Sequence, residues 1–160
     1  MEIIEMQPAH WSAVREIYRS GLETGQATFE IEIPSWDKWD ARHLADGRLV
    51  AINNGVVVGW AALSPVSTRA AYLGVAEVSV YVAQRYRGQG IGRELLARLI
   101  TESEKIGIWT LQASIFPENV GSVAIHRSCG FREVGRRERI GKLRGAWRDT
   151  LLFERRSSAE

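Results

Sequence analysis

Apolar positions along this chain change their period several times, and each change predicts an element. Residues 2–6, "EIIEM", form a short apolar run that reads as a first strand. From Pro8 onward Trp11, Val14, Ile17, Tyr18 and Leu22 recur at helical spacing. The stretch "SGLETGQATFEIEIP", residues 20–34, carries two glycines and ends in proline, so a break is expected there. "SWDKWDARHL" then predicts a short helix with Ser35 as its N-cap. "RLVAI", Asn53-Asn54-Gly55 and "VVVGWAAL" predict a hairpin, because Asn-Gly suits a primed turn.

The cleanest alternation is "VAEVSVYV". Ala76, Val78, Val80 and Val82 share one face of a strand, and Glu77, Ser79 and Tyr81 share the other. Beyond a cluster of glycines, Ile91, Leu95, Leu96, Leu99, Ile100 and Ile106 make an apolar stripe on a helix. "TLQASIF" predicts another strand, and "NVGSVAIHRSCG" a helix opened by Asn119 and stopped by Gly130. Two last strands are expected near 131–140 and 146–154. Strands outnumber helices and hairpins mix with β-α-β units, so the expected class is α+β on a mixed sheet.

Composition narrows this picture by exclusion. With 160 residues, 45% hydrophobic and 25% charged, and no repeat or linker, residues 1–160 are expected to form one domain with a real core. A net charge of +2 gives no argument for nucleic acid or for a membrane surface. The arginines at 136, 137, 139, 155 and 156 are therefore expected on a solvated face. The single cysteine, Cys129, excludes an internal disulfide, fits a reducing compartment and is expected as a small buried side chain. His10, His43 and His126 lack ligand spacing, so no metal is expected. No apolar run approaches the ~20 residues needed to cross a bilayer, and the N-terminus lacks signal-peptide character. A cytoplasmic location is expected.

The glycines raise the question of chemistry. "VAQRYRGQGIGRELLARL", residues 82–99, places Gly88, Gly90 and Gly92 between a strand and a helix, with Arg85, Arg87 and Arg93 around them. Such a loop suits phosphate, because the first helical turn offers unpaired N–H groups and a positive dipole end; a tight structural turn is the alternative. A dinucleotide fingerprint fails, since Arg93 or Leu95 stands where its third glycine belongs. A P-loop fails because Arg93 and Glu94 follow Gly92.

R-x-x-G-x-G does fit, through Arg87, Gly90 and Gly92, and here the chain resembles the GNAT superfamily of acetyl-CoA-dependent N-acetyltransferases. "NVGSVAIHRSCGF" is similar to that family's later segment. "ATFEIEIP", "RAAYLGVAEVSVYV", the helix with His126 and "GKLRGAWRDTLLFERR" further resemble its phosphinothricin acetyltransferase branch, which acetylates small glutamate-like amino acids such as methionine sulfoximine and methionine sulfone. The resemblance implies a mostly antiparallel central sheet flanked by helices, whose two parallel central strands, "VSVYV" and "LQASI", splay apart around the thioester. It implies acetyl-CoA held by Val80, Val82, Arg87, Gly88, Gln89, Gly90, Ile91, Gly92, Arg93, Asn119 and Ser122. It also implies a homodimer, with "GAWRDTLLFERR" near the interface.

Acetyl transfer to an amine needs a proton acceptor, a polarised carbonyl and a stabilised leaving thiolate. Glu77 matches the branch's general base, although a free carboxylate near ~4.3 needs proximity, burial or a relaying water to serve. Its bland reading is a glutamate paired with an arginine. Backbone N–H groups around Val78 to Val80 are expected to polarise the carbonyl. His126 takes the family's tyrosine position as proton donor to the thiolate, or is an ordinary helix histidine. Arg69 with Tyr72 is expected to clamp the substrate carboxylate, or to be a solvated loop charge. Phe29 and Glu30 match a loop closing over substrate, with Glu30 towards the ammonium. The tryptophans are expected mainly in the core or between subunits. Acetylation of a protein N-terminus, a lysine or a polyamine is the competing activity, and a CoA-binding module without turnover the competing class.

Overall fold

The computed structural model describes residues 1–158. Its strands are β1 (Glu2–Glu5), β2 (Leu49–Asn53), β3 (Val56–Pro65), β4 (Val75–Val82), β5 (Thr110–Ile115), β6 (Arg132–Leu143) and β7 (Ala146–Arg156). The helices are α1 (Trp11–Thr24), α2 (Trp36–Arg42), α3 (Ile91–Lys105) and α4 (Val120–Ser128). The strands form one sheet in the order β1-β2-β3-β4-β5-β7-β6. Every neighbouring pair is antiparallel except β4 and β5, which run parallel. The α+β class and the parallel centre are as expected.

Local chemistry explains most boundaries. Ser35 caps α2 by accepting from the Lys38 N–H at 3.3 Å, and Asn54 (φ 51°) with Gly55 (φ 77°) turns the β2–β3 hairpin. Two expectations shift. Helix α1 runs through the expected break to Thr24, because Leu22 continues its buried stripe and Gly25, at φ 69°, supplies the left-handed stop. Ile106 leaves α3: the helix ends at Lys105, Ile106 is exposed, and Ile108 enters the core instead.

Each face of the sheet carries its own core. On the α3 side the core is aliphatic, with Leu95, Leu96 and Leu99 of α3 fully buried against Val58, Ala61, Leu63 and Leu111. Burying each such leucine stabilises the fold by roughly 2 kcal/mol. On the α1–α2 side the core is aromatic, built on Tyr18, Trp39 and Trp60, with Tyr81 against them. Trp60 stacks on Tyr81 at 4.8 Å, and Tyr18 lies 5.0 Å from Tyr81. Trp109 and Trp147 are exposed. Among the described residues no helix is long and apolar enough to cross a membrane.

Candidate active site

The parallel pairing of β4 and β5 lasts only three residues, from Val75↔Thr110 to Glu77↔Gln112. Beyond Glu77 the strands separate, so the β5-facing N–H and C=O groups of residues 78–82 have no strand partner on that side. A cavity of about 320 Å³ opens in this gap. Glu77, Val80 and Tyr81 line one wall; Asn119, Ser122 and His126 line another; Phe29 and Glu30 close a third. Sequence-expected residues from three separate segments thus meet in one cleft.

Glu77 is half-buried, and its Oε1 accepts a hydrogen bond from Gln112 Nε2 at 3.1 Å. No arginine pairs with it among the described residues; its side-chain partner is a glutamine. A glutamine orients the carboxylate without neutralising it. Gln112 was not singled out from the sequence; only its register opposite Glu77 reveals it.

His126 is buried at 5% exposure, with its ring edge-on to Phe131 at 5.1 Å. Its Nδ1–H donates to the Ser122 carbonyl at 2.7 Å. Burial depresses its pKa below the ordinary 6.5, and the hydrogen bond to Ser122 offsets only part of this. At neutral pH the ring is therefore neutral and its Nε2 carries a lone pair. With Nδ1 donating, the neutral ring leaves Nε2 as a hydrogen-bond acceptor.

The glycine loop lies next to this cleft, outside its lining. Gly88 (φ 77°) and Gly90 (φ 84°) adopt backbone that L side chains rarely enter, and beyond the adjacent residues no protein atom lies within 4 Å of a Cβ built there. Gly92 serves packing instead: its Cβ would meet Ile125 at 3.0 Å, where α3 crosses α4. The first intrahelical hydrogen bond of α3 runs from Glu94 N–H to Gly90 O, leaving the N–H groups of Ile91, Gly92 and Arg93 outside the helical ladder. Ile91 is buried, so only its backbone faces the loop, whereas Arg87, Gln89 and Arg93 are exposed. The exposed loop and open helix terminus have the donor chemistry that a pyrophosphate requires.

Other expected site residues land less directly. Val82 packs at the edge of the aliphatic core. The Asn119 side chain is committed twice within the protein, accepting from Ser122 N–H and donating to Gln26 O, both at 3.2 Å. Arg69 and Tyr72 are exposed, with the guanidinium 5.8 Å from the Tyr72 ring, and neither lines this cleft. Arg148 was not anticipated. It sits 4.1 Å from the Phe116 ring and binds Gly25 O at 2.8 Å and Gln26 Oε1 at 2.7 Å, fastening the 25–30 loop to β7. Among the described residues no group of three or more His, Cys, Asp and Glu is placed to hold a metal.

Comparison with known proteins agrees with this geometry. The model of the acetyltransferase (GNAT) family matches residues 11–131. A phosphinothricin N-acetyltransferase from Alcaligenes faecalis is 36% identical over 150 residues, covering 89% of this chain and 76% of that protein. An L-methionine sulfoximine/L-methionine sulfone acetyltransferase from Salmonella typhimurium is 32% identical, covering 91% and 88%. Among solved structures, a ribosomal-protein-alanine N-acetyltransferase from Brucella melitensis superposes with TM-score 0.91 at 34% identity, covering 98% and 100%. A GNAT superfamily phosphinothricin acetyltransferase from Sinorhizobium meliloti, in complex with AcCoA, gives 0.88 at 31%, covering 97% and 87%. A splayed parallel strand pair, an open glycine-bounded helix terminus and these matches together make the chain a member of the GNAT acetyltransferase family, an acyltransferase of the phosphinothricin N-acetyltransferase type.

Proposed function

We propose that the protein transfers acetyl from acetyl-CoA directly to the α-amino group of small glutamate-like amino acids, with methionine sulfone, methionine sulfoximine and phosphinothricin as representative acceptors. One observation carries this reading: Glu77 and a neutral His126 line the same cleft, beside an open α3 terminus. The acetyl-CoA complex of the Sinorhizobium meliloti relative supports the donor, and the relatives' names support the acceptor.

Acetyl-CoA supplies an acetyl group activated as a thioester. The loop N–H groups and Arg87 or Arg93 hold its pyrophosphate, and unpaired backbone N–H groups of residues 78–80 face its carbonyl oxygen. Forming the amide removes two protons from the acceptor ammonium. Glu77, held by Gln112, takes the first and frees the nitrogen lone pair for attack. The His126 Nε2 takes the second and passes it to the departing sulfur, which leaves as a thiol; the proton on Glu77 returns to solvent. Phe29 and Glu30 close over the acceptor.

The protein acts in the cytoplasm as a homodimer of one-domain subunits. The exposed Val134, Ile140 and Trp147 on β6 and β7 support that pairing surface. The test is release of free thiol from acetyl-CoA across a panel of amino acids, polyamines and peptides. Thiol should appear only when an amino acid of this class is added. Binding of acetyl-CoA without amine-dependent release would make the protein a CoA-binding module, and release driven only by peptides or polyamines would move it to another acceptor class.

A further inference from the structure

Next to the transfer cleft, on the aromatic side of the sheet, lies a second chamber of about 270 Å³. The two are contiguous, sharing Thr28, Glu30, Glu77, Ser79 and Tyr81. Tyr18, Trp39 and Trp60 give the second chamber an apolar floor that suits a short unbranched side chain. Its polar rim comes from Glu30 on one side and the end of α2, Arg42 and His43, on the other.

The charged groups on that rim, Glu30 and Arg42, are both exposed at its mouth. Arg42 is the only arginine or lysine among the described residues that line either chamber, and the acids there are Glu30 and Glu77. No hydrogen bond or ion pair engages the side chain of Arg42 or of Glu30 among the described residues. Six residues along the chain, Arg48 behaves differently: it pairs with Asp40 at 2.6 Å and donates to the Leu44, Asp40 and His43 carbonyls. Arg48 is fully used in tying α2 to β2, whereas Arg42 is left free.

Two further observations fit an ion-binding role. The Tyr18 hydroxyl has its pKa pushed up to about 12, chiefly by burial and then by the Glu30 charge, with Arg42 pulling the other way. Tyr18 is therefore a neutral hydrogen-bonding group within electrostatic reach of both ions. His43 adds no positive charge at neutral pH, because burial lowers its pKa while its Nδ1–H is held by the Trp39 carbonyl at 2.6 Å. A carboxylate and a guanidinium thus face one chamber without satisfying each other. A zwitterion is the ligand that pairs both.

We propose that this chamber is the acceptor subsite, and that Arg42 is its anion-binding residue, holding an oxyanion of the amino acid while Glu30 and Glu77 face its ammonium. The inference rests on the amino-acid reading of the site given above. The oxyanion is either the α-carboxylate or the oxygens at the end of the side chain, and a bidentate guanidinium serves both. Arg42 thereby takes the position that the sequence suggested for Arg69, which lies outside both chambers.

Because the Arg42 side chain holds no other part of the protein, Arg42→Gln should fold normally, as circular dichroism and thermal melting would report. In Arg42→Gln the KM for methionine sulfone should rise about tenfold or more, with the KM for acetyl-CoA within about twofold of wild type. Two kcat/KM ratios then locate the anion. If methionine sulfone loses its advantage over its own amide, Arg42 reads the α-carboxylate; if it loses its advantage over methionine, Arg42 reads the side-chain oxygens. Arg42→Gln retaining both ratios overturns the inference, as do the same losses appearing in Arg69→Gln alone. A wild-type enzyme that acetylates peptides or polyamines but no free amino acid overturns the functional reading first and this inference with it. A wild type active on amino acids beside an indifferent Arg42→Gln removes this inference alone.

Discussion

The two faces of the sheet are built by different means. The α3 side is mostly aliphatic, and its β4, glycine loop and α3 form one contiguous stretch, residues 75–105, packed on strands from elsewhere in the chain. The α1–α2 side is aromatic and is assembled from segments far apart in sequence, around residues 18, 28–30, 39–43, 60–64 and 77–81. The first face presents generic chemistry, unpaired N–H groups for a phosphate. The second presents individual side chains in a particular arrangement. In the proposed function, local backbone holds a common donor and long-range packing reads a variable acceptor.

The sharpest way to break this comparison is at Glu77, where the two halves meet. Glu77→Gln keeps the shape and the Gln112 contact but loses basicity, so kcat should fall about 10²-fold or more. Acetyl-CoA affinity, measured by titration, should stay near wild type. An unchanged pH–rate profile in this variant would reduce Glu77 to a structural part.

Gly90 tests the donor half alone. At φ 84° a β-branched residue is strained, so Gly90→Val should lose stability as well as acetyl-CoA affinity. Gly90→Asn separates the two effects, since asparagine tolerates this conformation while its side chain still projects over the loop. Its KM for acetyl-CoA should rise roughly tenfold with a melting temperature close to wild type. Normal acetyl-CoA binding in both variants would remove the loop from the donor site.

Arg148 tests the acceptor half alone. Arg148→Met keeps apolar volume over Phe116 but releases the Gly25 and Gln26 contacts. Freeing the 25–30 loop should raise the acceptor KM several-fold, on the order of 1 kcal/mol for the lost hydrogen bonds. The acetyl-CoA KM should hardly move. Equal changes in both constants would show that the halves are not separable.

The smallest effect is on stability against pH. His43 and His126 both have pKa values below their ordinary 6.5, each chiefly through burial. The unfolded chain therefore binds more protons than the folded one just below 6.5. Their contribution is complete above that pH and is lost as pH falls through the depressed folded values. His126→Gln should flatten part of the acid limb of a chemical-denaturation series; an identical limb would mean that His126 is not protonated on unfolding.

What was legible in the sequence follows the same division. The alternation of β4, the R-x-x-G-x-G loop and the leucine stripe of α3 are local signals, and the structure places them as expected, apart from Ile106. Glu77, Phe29, Glu30 and His126 stand out in the sequence only through a family pattern, and it is the fold that brings them to one cleft. Gln112 and Arg148 were invisible. Gln112 matters because a parallel register of three pairs sets it opposite Glu77, and Arg148 because β7 runs under a loop more than a hundred residues earlier. The tautomer of His126 was equally beyond reach, since it depends on a carbonyl one helical turn away.

The central claim is that the cleft selects a free amino acid as its acceptor. Mixing the enzyme with acetyl-CoA, methionine sulfone and a peptide beginning with alanine, both acceptors at equal concentration, tests it in one vessel. Mass spectrometry of the early products reads the ratio of kcat/KM values directly. N-acetylmethionine sulfone should be the dominant product. A predominance of acetylated peptide would contradict it.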